Sequence, residues 1–327
     1  MLWFLSKQKK PDMISEEDLS DLHGKVVIVT GSNCGIGYAT VQFLARKGAK
    51  VYMAARNEGK AREAIKQLKE EDIADGTVEW LELDLEDPRK AKKAAEKFLK
   101  KEKRLDVLIN NAAVGLGPFK INSDGILDVM TINHVSHFAF TQTLLPLMKE
   151  TCKEDGSDVR IVNLTSAAFL QVEVDSFAGK ESLNKVYGPG LLQEIKTYGI
   201  SKLANVLYMK ELQVRLDAEN VPIICTSVYP GTVTTPGTLR FFSVIPYISW
   251  LTKIIGPWLF VPQRQGAYTS VFAAASPKVK LNREKYAGAY LEPVAKVGKP
   301  TKYGEDMRLA EELWETTESV LKEIGVL

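Results

Sequence analysis

The chain has 327 residues, a length that suits either one large α/β domain or two domains of about 150 residues. With 45% hydrophobic and 26% charged residues it can bury a sizeable core, which excludes a mainly disordered or fibrous protein. Lysine plus arginine (43) nearly cancels aspartate plus glutamate (41), and a net charge of +2 is too balanced for a protein that grips nucleic acid.

At the start, Leu2, Trp3 and Phe4 precede a basic cluster of Lys7, Lys9 and Lys10. That order is the reverse of a secretory signal, so residues 1–24 are expected to form an N-terminal extension. From Lys25 onward, apolar runs alternate with amphipathic stretches. Val26 to Val29 reads as a buried strand, followed by a glycine-bearing turn and a helix over Tyr38 to Lys47. Val51 to Ala55 is a second strand and Glu58 to Glu71 a solvent-facing helix. Further strands are predicted at Val78 to Leu83, Val107 to Ile109, Ile161 to Leu164 and Ile223 to Val228. This alternation predicts right-handed βαβ units and an α/β, doubly wound (Rossmann) parallel sheet. No linker divides residues 25–327, so they are expected to form one domain with an insertion at about 169–194 and an apolar lid at about 237–262. Phe169, Val172, Phe177, Tyr187 and Leu191 of the insertion are expected to border the active-site mouth. Phe241 to Val261 approaches the length of a membrane span, but Lys253, Pro246 and Pro257 interrupt it. A lid over a greasy pocket is the leading reading, with membrane-surface contact and a true span as alternatives. Three scattered cysteines (Cys34, Cys152, Cys225) and three histidines suggest neither a disulfide framework nor a metal site, and a reducing compartment suits them.

The turn Thr30-Gly31-Ser32-Asn33-Cys34-Gly35-Ile36-Gly37 follows a strand and opens a helix. Glycines there permit a tight turn, close approach of backbone to a pyrophosphate and close helix packing, while the helix N-terminus favours negative charge. Gly31, Asn33, Cys34, Gly35, Ile36 and Gly37 are therefore candidate dinucleotide contacts. An acid about 20 residues further on would take the ribose 2′-hydroxyl of NAD. Arg56 stands near that place instead and can pair with the extra phosphate of NADP.

Three motifs arrive in order: the glycine turn, Asn110-Asn111-Ala112-Ala113, and Tyr198-Gly199-Ile200-Ser201-Lys202. Their spacing resembles the short-chain dehydrogenase/reductase family, strongly over Lys25 to Pro236. Asn33, Arg56-Asn57 and Ser201 to Asn205 make the chain most similar to the retinol-dehydrogenase-like carbonyl reductases. The resemblance implies Tyr198 as acid/base, Lys202 beside it, Ser166 binding the substrate carbonyl with Thr165 the weaker candidate, and Asn133 in a proton relay. Tyr198 and Lys202, four apart, share one helix face, where an ammonium would draw a phenol toward working range. The resemblance also implies cofactor contacts from Asp84, Leu85, Asn111, Ala112, Pro230, Val233 and Thr235, besides Tyr198 and Lys202. Ala113 stands where the family commonly has glycine. His134 and His137 are read as packed core residues with no metal.

The implied function is an NADP(H)-dependent oxidoreductase that interconverts a hydrophobic ketone or aldehyde and its alcohol. The alternative is a non-catalytic dinucleotide-binding regulatory or interaction protein. The expected partner is a hydrophobic small molecule; the expected place is the cytoplasm, with peripheral contact on an intracellular membrane or lipid surface as an alternative. Oligomeric state is left open.

Overall fold

Every residue of β1 (Val26–Thr30), β4 (Val107–Asn110), β5 (Arg160–Leu164) and β6 (Ile224–Val228) is buried. A parallel strand with helices over both faces has no solvent side, which is why these segments read as unbroken apolar runs. The computed structural model describes residues 15–232 and 261–327. Within them the chain runs β1, α1 (Gly35–Arg46), β2 (Lys50–Ala55), α2 (Glu58–Glu70), β3 (Thr77–Glu82), α3 (Pro88–Lys101), β4, α4 (Asp128–Met130), a π-helical turn (Thr131–Val135) and α5 (Ser136–Thr151). It continues through β5, α6 (Gly190–Ala218), β6, α7 (Gln263–Ala275), α8 (Pro277–Leu281), α9 (Arg283–Tyr286), β7 (Tyr290–Glu292), β8 (Lys296–Val297) and α10 (Met307–Glu323).

The sheet has the order β3-β2-β1-β4-β5-β6-β7-β8, parallel up to β7 with β8 antiparallel at the edge. Because β1 lies between β2 and β4, the chain reverses direction across the sheet there, and the crevice outside the strand ends at such a switch point is where this architecture binds ligands. Strand pleating sorts the core into two layers. Val26 and Ile28 face a layer shared with α3, α5, α6 and α10, while Val27 and Val29 face one shared with α1, α2 and α7.

The helix after the glycine turn starts at Gly35 rather than Tyr38, because the turn closes directly into it. Residues 15–24, expected as an extension, pack on the sheet's helices: Leu19 and Leu22 are buried, Ser20 N donates to Ala275 O (2.9 Å) and Leu22 N to Lys47 O (2.8 Å). Of the insertion's named side chains, Phe169, Val172 and Phe177 are core residues and do not border a mouth. Phe169 is drawn inward by Tyr290 of β7 (5.1 Å between ring centroids) and Val172 by Gly199 of α6, while α10 straps the insertion further on: Phe177 N donates to Glu312 Oε2 (2.9 Å), Gly179 N to Thr316 Oγ1 (2.9 Å), and Thr316 Oγ1 to Phe177 O (2.7 Å). Its last residues already belong to α6. The candidate lid over 241–260 lies outside the described residues.

Helix α10 also braces the outer face of α5 and α6. The Trp314 ring sits edge-on to Phe138 (4.8 Å between centroids) and tilted against Tyr208 (5.9 Å), with Arg215 stacked over it at 4.3 Å. Truncating a buried tryptophan removes contact area and leaves a cavity. Trp314→Ala is expected to lower the unfolding free energy by about 3–5 kcal/mol. Urea titration checks this, and a loss under about 1 kcal/mol would show that α10 is not integral to the core.

Candidate active site

Three segments converge at the carboxyl ends of β1, β4 and β5. Gly31 turns with φ +61°, and a Cβ there would lie 2.8 Å from the Ala112 Cα. A Cβ on Gly37 would meet Asn111 Nδ2 at 2.6 Å, so both glycines allow β4's exit loop to press on the turn. Gly35 differs: it also has positive φ (+64°), but open space lies where its side chain would be. That opening, above the first turn of α1, is where a diphosphate can approach backbone N–H groups. Asn33 and Ile36 are partly exposed and Cys34 is exposed as the N-cap of α1, which it caps with no side-chain hydrogen bond. The residues present therefore fit a dinucleotide.

Hydrogen bonds hold the turn from below. Thr30 Oγ1 accepts from the backbone N–H of Asn111 and of Ala112, both at 2.9 Å. Asn111 Nδ2 donates to Thr30 O (2.7 Å) and Gly31 O (3.2 Å), so this side chain locks the turn and is not free to reach a ligand. Ser32 Oγ donates to Val29 O (2.7 Å).

At the far end of the crevice, the exposed Arg56 guanidinium is paired with Glu86. Asp84 Oδ1 accepts from Glu86 N (3.0 Å) and Oδ2 from Lys90 Nζ (2.7 Å). Burial alone would raise the Asp84 carboxyl, but Lys90, the Glu86 N–H and Arg56 outweigh it and hold it below its ordinary value. Leu85 is buried and its carbonyl accepts from Ser136 Oγ (2.8 Å).

Ser166 follows β5 and caps a 3-10 turn (Ala167–Gln171), its Oγ accepting from Ala168 N at 3.3 Å. That turn lies directly on α6 because residue 199 is glycine: a Cβ there would be 2.6 Å from Val172 Cγ1 and 2.8 Å from Ala168 O. Ser166 thereby lies near enough to the Tyr198 phenol for its hydroxyl to act on it. The neighbouring Thr165 is buried, with its hydroxyl donating to Lys202 O (2.7 Å), which removes it as an alternative to Ser166. Lys202 is fully buried; its Nζ donates to Leu164 O (3.0 Å) and stands 5.9 Å from the Tyr198 ring centroid. Burial raises the Tyr198 phenol above its ordinary value, opposed by the Ser166 hydroxyl. It pushes Lys202 down to about 7. The expected dominance of the ammonium over the phenol is thus corrected: in the ligand-free protein, desolvation governs both groups.

Asn133 sits within the π-helical turn, a distortion that frequently marks functional sites. Its side chain is fully engaged: Oδ1 accepts from Val114 N (2.9 Å), and Nδ2 donates to Val114 O (3.0 Å) and Ser201 Oγ (2.9 Å). Asn133 therefore clamps the loop after β4 to α6. Pro230 lies at the end of β6, partly buried, while Val233 and Thr235 lie outside the described residues. Val261 N donates to Thr232 O (3.0 Å) across the gap between the two described portions.

Sequence reasoning missed Thr30, Val114 and Ser201. Thr30 and Ser201 stand inside quoted motifs, so their position was a signal; Val114 participates through backbone and had none. Both histidines are buried, as read. His134 Nε2 bonds Thr317 Oγ1 (2.9 Å) on α10, whereas His137 Nε2 bonds Thr30 Oγ1 (3.0 Å) beneath the glycine turn. Among the described residues, no group of three or more His, Cys, Asp or Glu side chains is placed to hold a metal.

The family model for short chain dehydrogenase matches residues 25–178. A short-chain dehydrogenase/reductase of Armillaria gallica is 43% identical over 311 residues, covering 94% of this chain and 96% of the relative. Among solved structures, an uncharacterized protein of Mycobacterium paratuberculosis superposes with TM-score 0.71 at 26% identity, covering 95% of this chain and 98% of that one. The NADP complex of RhlG from Pseudomonas aeruginosa shares the fold, with TM-score 0.63 at 23% identity over 84% of this chain and 96% of that one.

A lysine held at about 7 when folded and near 10.4 when unfolded binds fewer protons in the native state between those values. Stability then rises with pH through that window, and the full cost of burying the charge is present below it. Relative to Lys202→Met, the ligand-free wild type should gain about 1 kcal/mol per pH unit from pH 7 to 9. Urea melts of both proteins across that range provide the measurement, and parallel profiles would return Lys202 to an ordinary pKa.

Proposed function

Because the chain belongs to the short-chain dehydrogenase/reductase family and is an oxidoreductase working with a nicotinamide dinucleotide, we propose that it interconverts a hydrophobic ketone or aldehyde and its alcohol with NADP(H). The observation that carries this reading is Lys202, buried with its Nζ 5.9 Å from the Tyr198 ring centroid, with Ser166 and the glycine turn at the adjoining strand ends. When bound, the nicotinamide supplies hydride to the carbonyl carbon or takes it from the alcohol. In reduction, Tyr198 gives its proton to the carbonyl oxygen as the carbon receives hydride, and in oxidation it accepts that proton back. Ser166 Oγ already accepts from Ala168 N, which leaves its own proton free to hold the substrate oxygen. Lys202 spends one donor on Leu164 O and keeps others for the ribose hydroxyls. A charged Lys202 beside the phenol favours the phenolate.

Arg56 supports the choice of NADP(H), since a guanidinium recognises the 2′-phosphate where an acid would repel it. Gly31, Asn33, Cys34, Gly35, Ile36 and Gly37 would surround the diphosphate. Asp84 and Leu85 would meet the adenine, and Pro230, Val233 and Thr235 the carboxamide. Asn111 and Ala112 act as supports through Thr30. A hydrophobic substrate suits the apolar stretch Phe241 to Val261 and the exposed Val114, Leu170 and Leu192 on segments leaving β4 and β5. No helix among the described residues is long and apolar enough to cross a membrane.

NADPH consumption across a panel of bulky carbonyl compounds tests the proposal. Tyr198→Phe should nearly abolish turnover and leave NADPH affinity intact, because it removes the proton carrier and little volume. Turnover near the wild-type rate would favour a non-catalytic role for Tyr198. Arg56→Asp should weaken NADPH relative to NADH by roughly 1.5–3 kcal/mol, the worth of a charge-assisted hydrogen bond. Dissociation constants for both cofactors decide it, and an unchanged ratio would place the 2′-phosphate elsewhere.

A further inference from the structure

His137 is fully buried on the first turn of α5, and the proposed chemistry leaves it without a task. Its surroundings define its proton. Thr30 Oγ1 already accepts two backbone N–H groups, from Asn111 and Ala112, so both its lone pairs are used. The hydroxyl proton can go only to His137 Nε2, 3.0 Å away. Nε2 is therefore an acceptor, and the imidazole is the neutral tautomer protonated on Nδ1. Nδ1 is buried without a hydrogen-bond partner, and the Ile132 and Asn133 backbone of the π-helical turn lies near the ring. Burial, and next to it the Lys202 ammonium, push His137 down to about 3 and keep it neutral.

We propose that His137 is a positioning residue for the dinucleotide site, acting through Thr30. By taking the Thr30 proton it orients both hydroxyl lone pairs toward the Asn111 and Ala112 amides. Those amides in turn hold β4's exit loop against Gly31 and Gly37, where no side chain fits. Without an acceptor at Nε2, the hydroxyl must find another buried partner or rotate, and one amide loses its acceptor. The chain of contacts runs from the π-helical turn to the floor of the cofactor crevice, and it rests on the dinucleotide reading of that crevice.

Side-chain length separates the contact from mere packing. A glutamine places its amide oxygen about where Nε2 lies, whereas an asparagine reaches only the Nδ1 position. His137→Phe keeps the ring volume without an acceptor. NADPH dissociation constants, measured by titration calorimetry on the full chain, should rise about 10-fold for His137→Phe and His137→Asn. His137→Gln should stay within about 3-fold of wild type. In a Thr30→Val background, which lacks the hydroxyl, the His137→Phe effect should vanish, leaving the double variant within about 2-fold of Thr30→Val. Equal affinities for the glutamine, asparagine and phenylalanine variants would overturn the proposal, as would additive effects in the double variant. If His137→Phe does not fold, the glutamine and asparagine pair still decides. A wild type that binds neither NADPH nor NADH would defeat the dinucleotide reading, whereas normal binding with indifferent His137 variants would defeat only this one.

Discussion

The ends of β1 and β4 come too close for a side chain to lie between them, and the site is organised around that approach. Gly31 and Gly37 make it sterically possible, and Thr30 and Asn111 make it favourable by closing four hydrogen bonds across the gap. Backbone polar groups at a strand exit cannot continue the ladder and must find partners elsewhere. Here they find one another, so the phosphate turn and the loop bordering the nicotinamide side behave as a single piece. The close contact leaves the α1 N-terminus clear, with open space over Gly35. Ligand access is thus a by-product of how tightly the layer beneath is packed.

The two faces of the sheet carry different duties. One layer, with α1, α2 and α7, buries a single guanidinium among the described residues, Arg160, satisfied by the Ala273 and Ser276 carbonyls and by Asp158. The other carries α6 and with it the groups that handle protons, packed beside buried Asn110, Asn133, Asn163, Asn205 and Lys202. Such a layer is electrostatically expensive, and α10 compensates by supplying a dense aromatic contact around Trp314. The same helix fixes the segment after Ser166.

Most of the sheet was legible in the sequence because strands buried on both faces cannot hide their apolar runs. The glycine turn, Ser166, Tyr198 and Lys202 were legible because their spacing follows local geometry, a strand end or one helix turn. What escaped reading is tertiary. Strands β7 and β8, of three and two residues, are too short to show a period. The pattern Leu309, Leu313, Thr317, Val320 does have helical spacing, yet nothing local says that it packs on Phe177 and Trp314's neighbours. Phe169, Val172 and Phe177 looked like mouth residues because an insertion after Ser166 suggests a rim, and their burial depends on distant partners: Tyr290, Gly199 and α10. Asn111 looked like a ligand-facing polar group and Asn133 like a member of a proton relay, whereas the Asn111 amide is bonded to backbone and the Asn133 amide to Val114 backbone and the Ser201 hydroxyl. The Thr30–His137 bond joins residues 107 positions apart. No periodicity encodes a pairing at that distance.

The hydrogen bond from Val261 N to Thr232 O joins the two described portions of the chain at the open edge of the crevice. Chain departing and returning at one point makes a module in the evolutionary sense. The cost of closing such an excursion grows only slowly with its length, so residues can be added, lost or exchanged between 233 and 260 with the sheet still anchored on either side. Ser166, Tyr198, Lys202 and the glycine turn all sit on β1, β5, α6 and the segments joined to them. Exchanging that segment alone would leave Thr232 and Val261 in place, so it can be swapped as a unit.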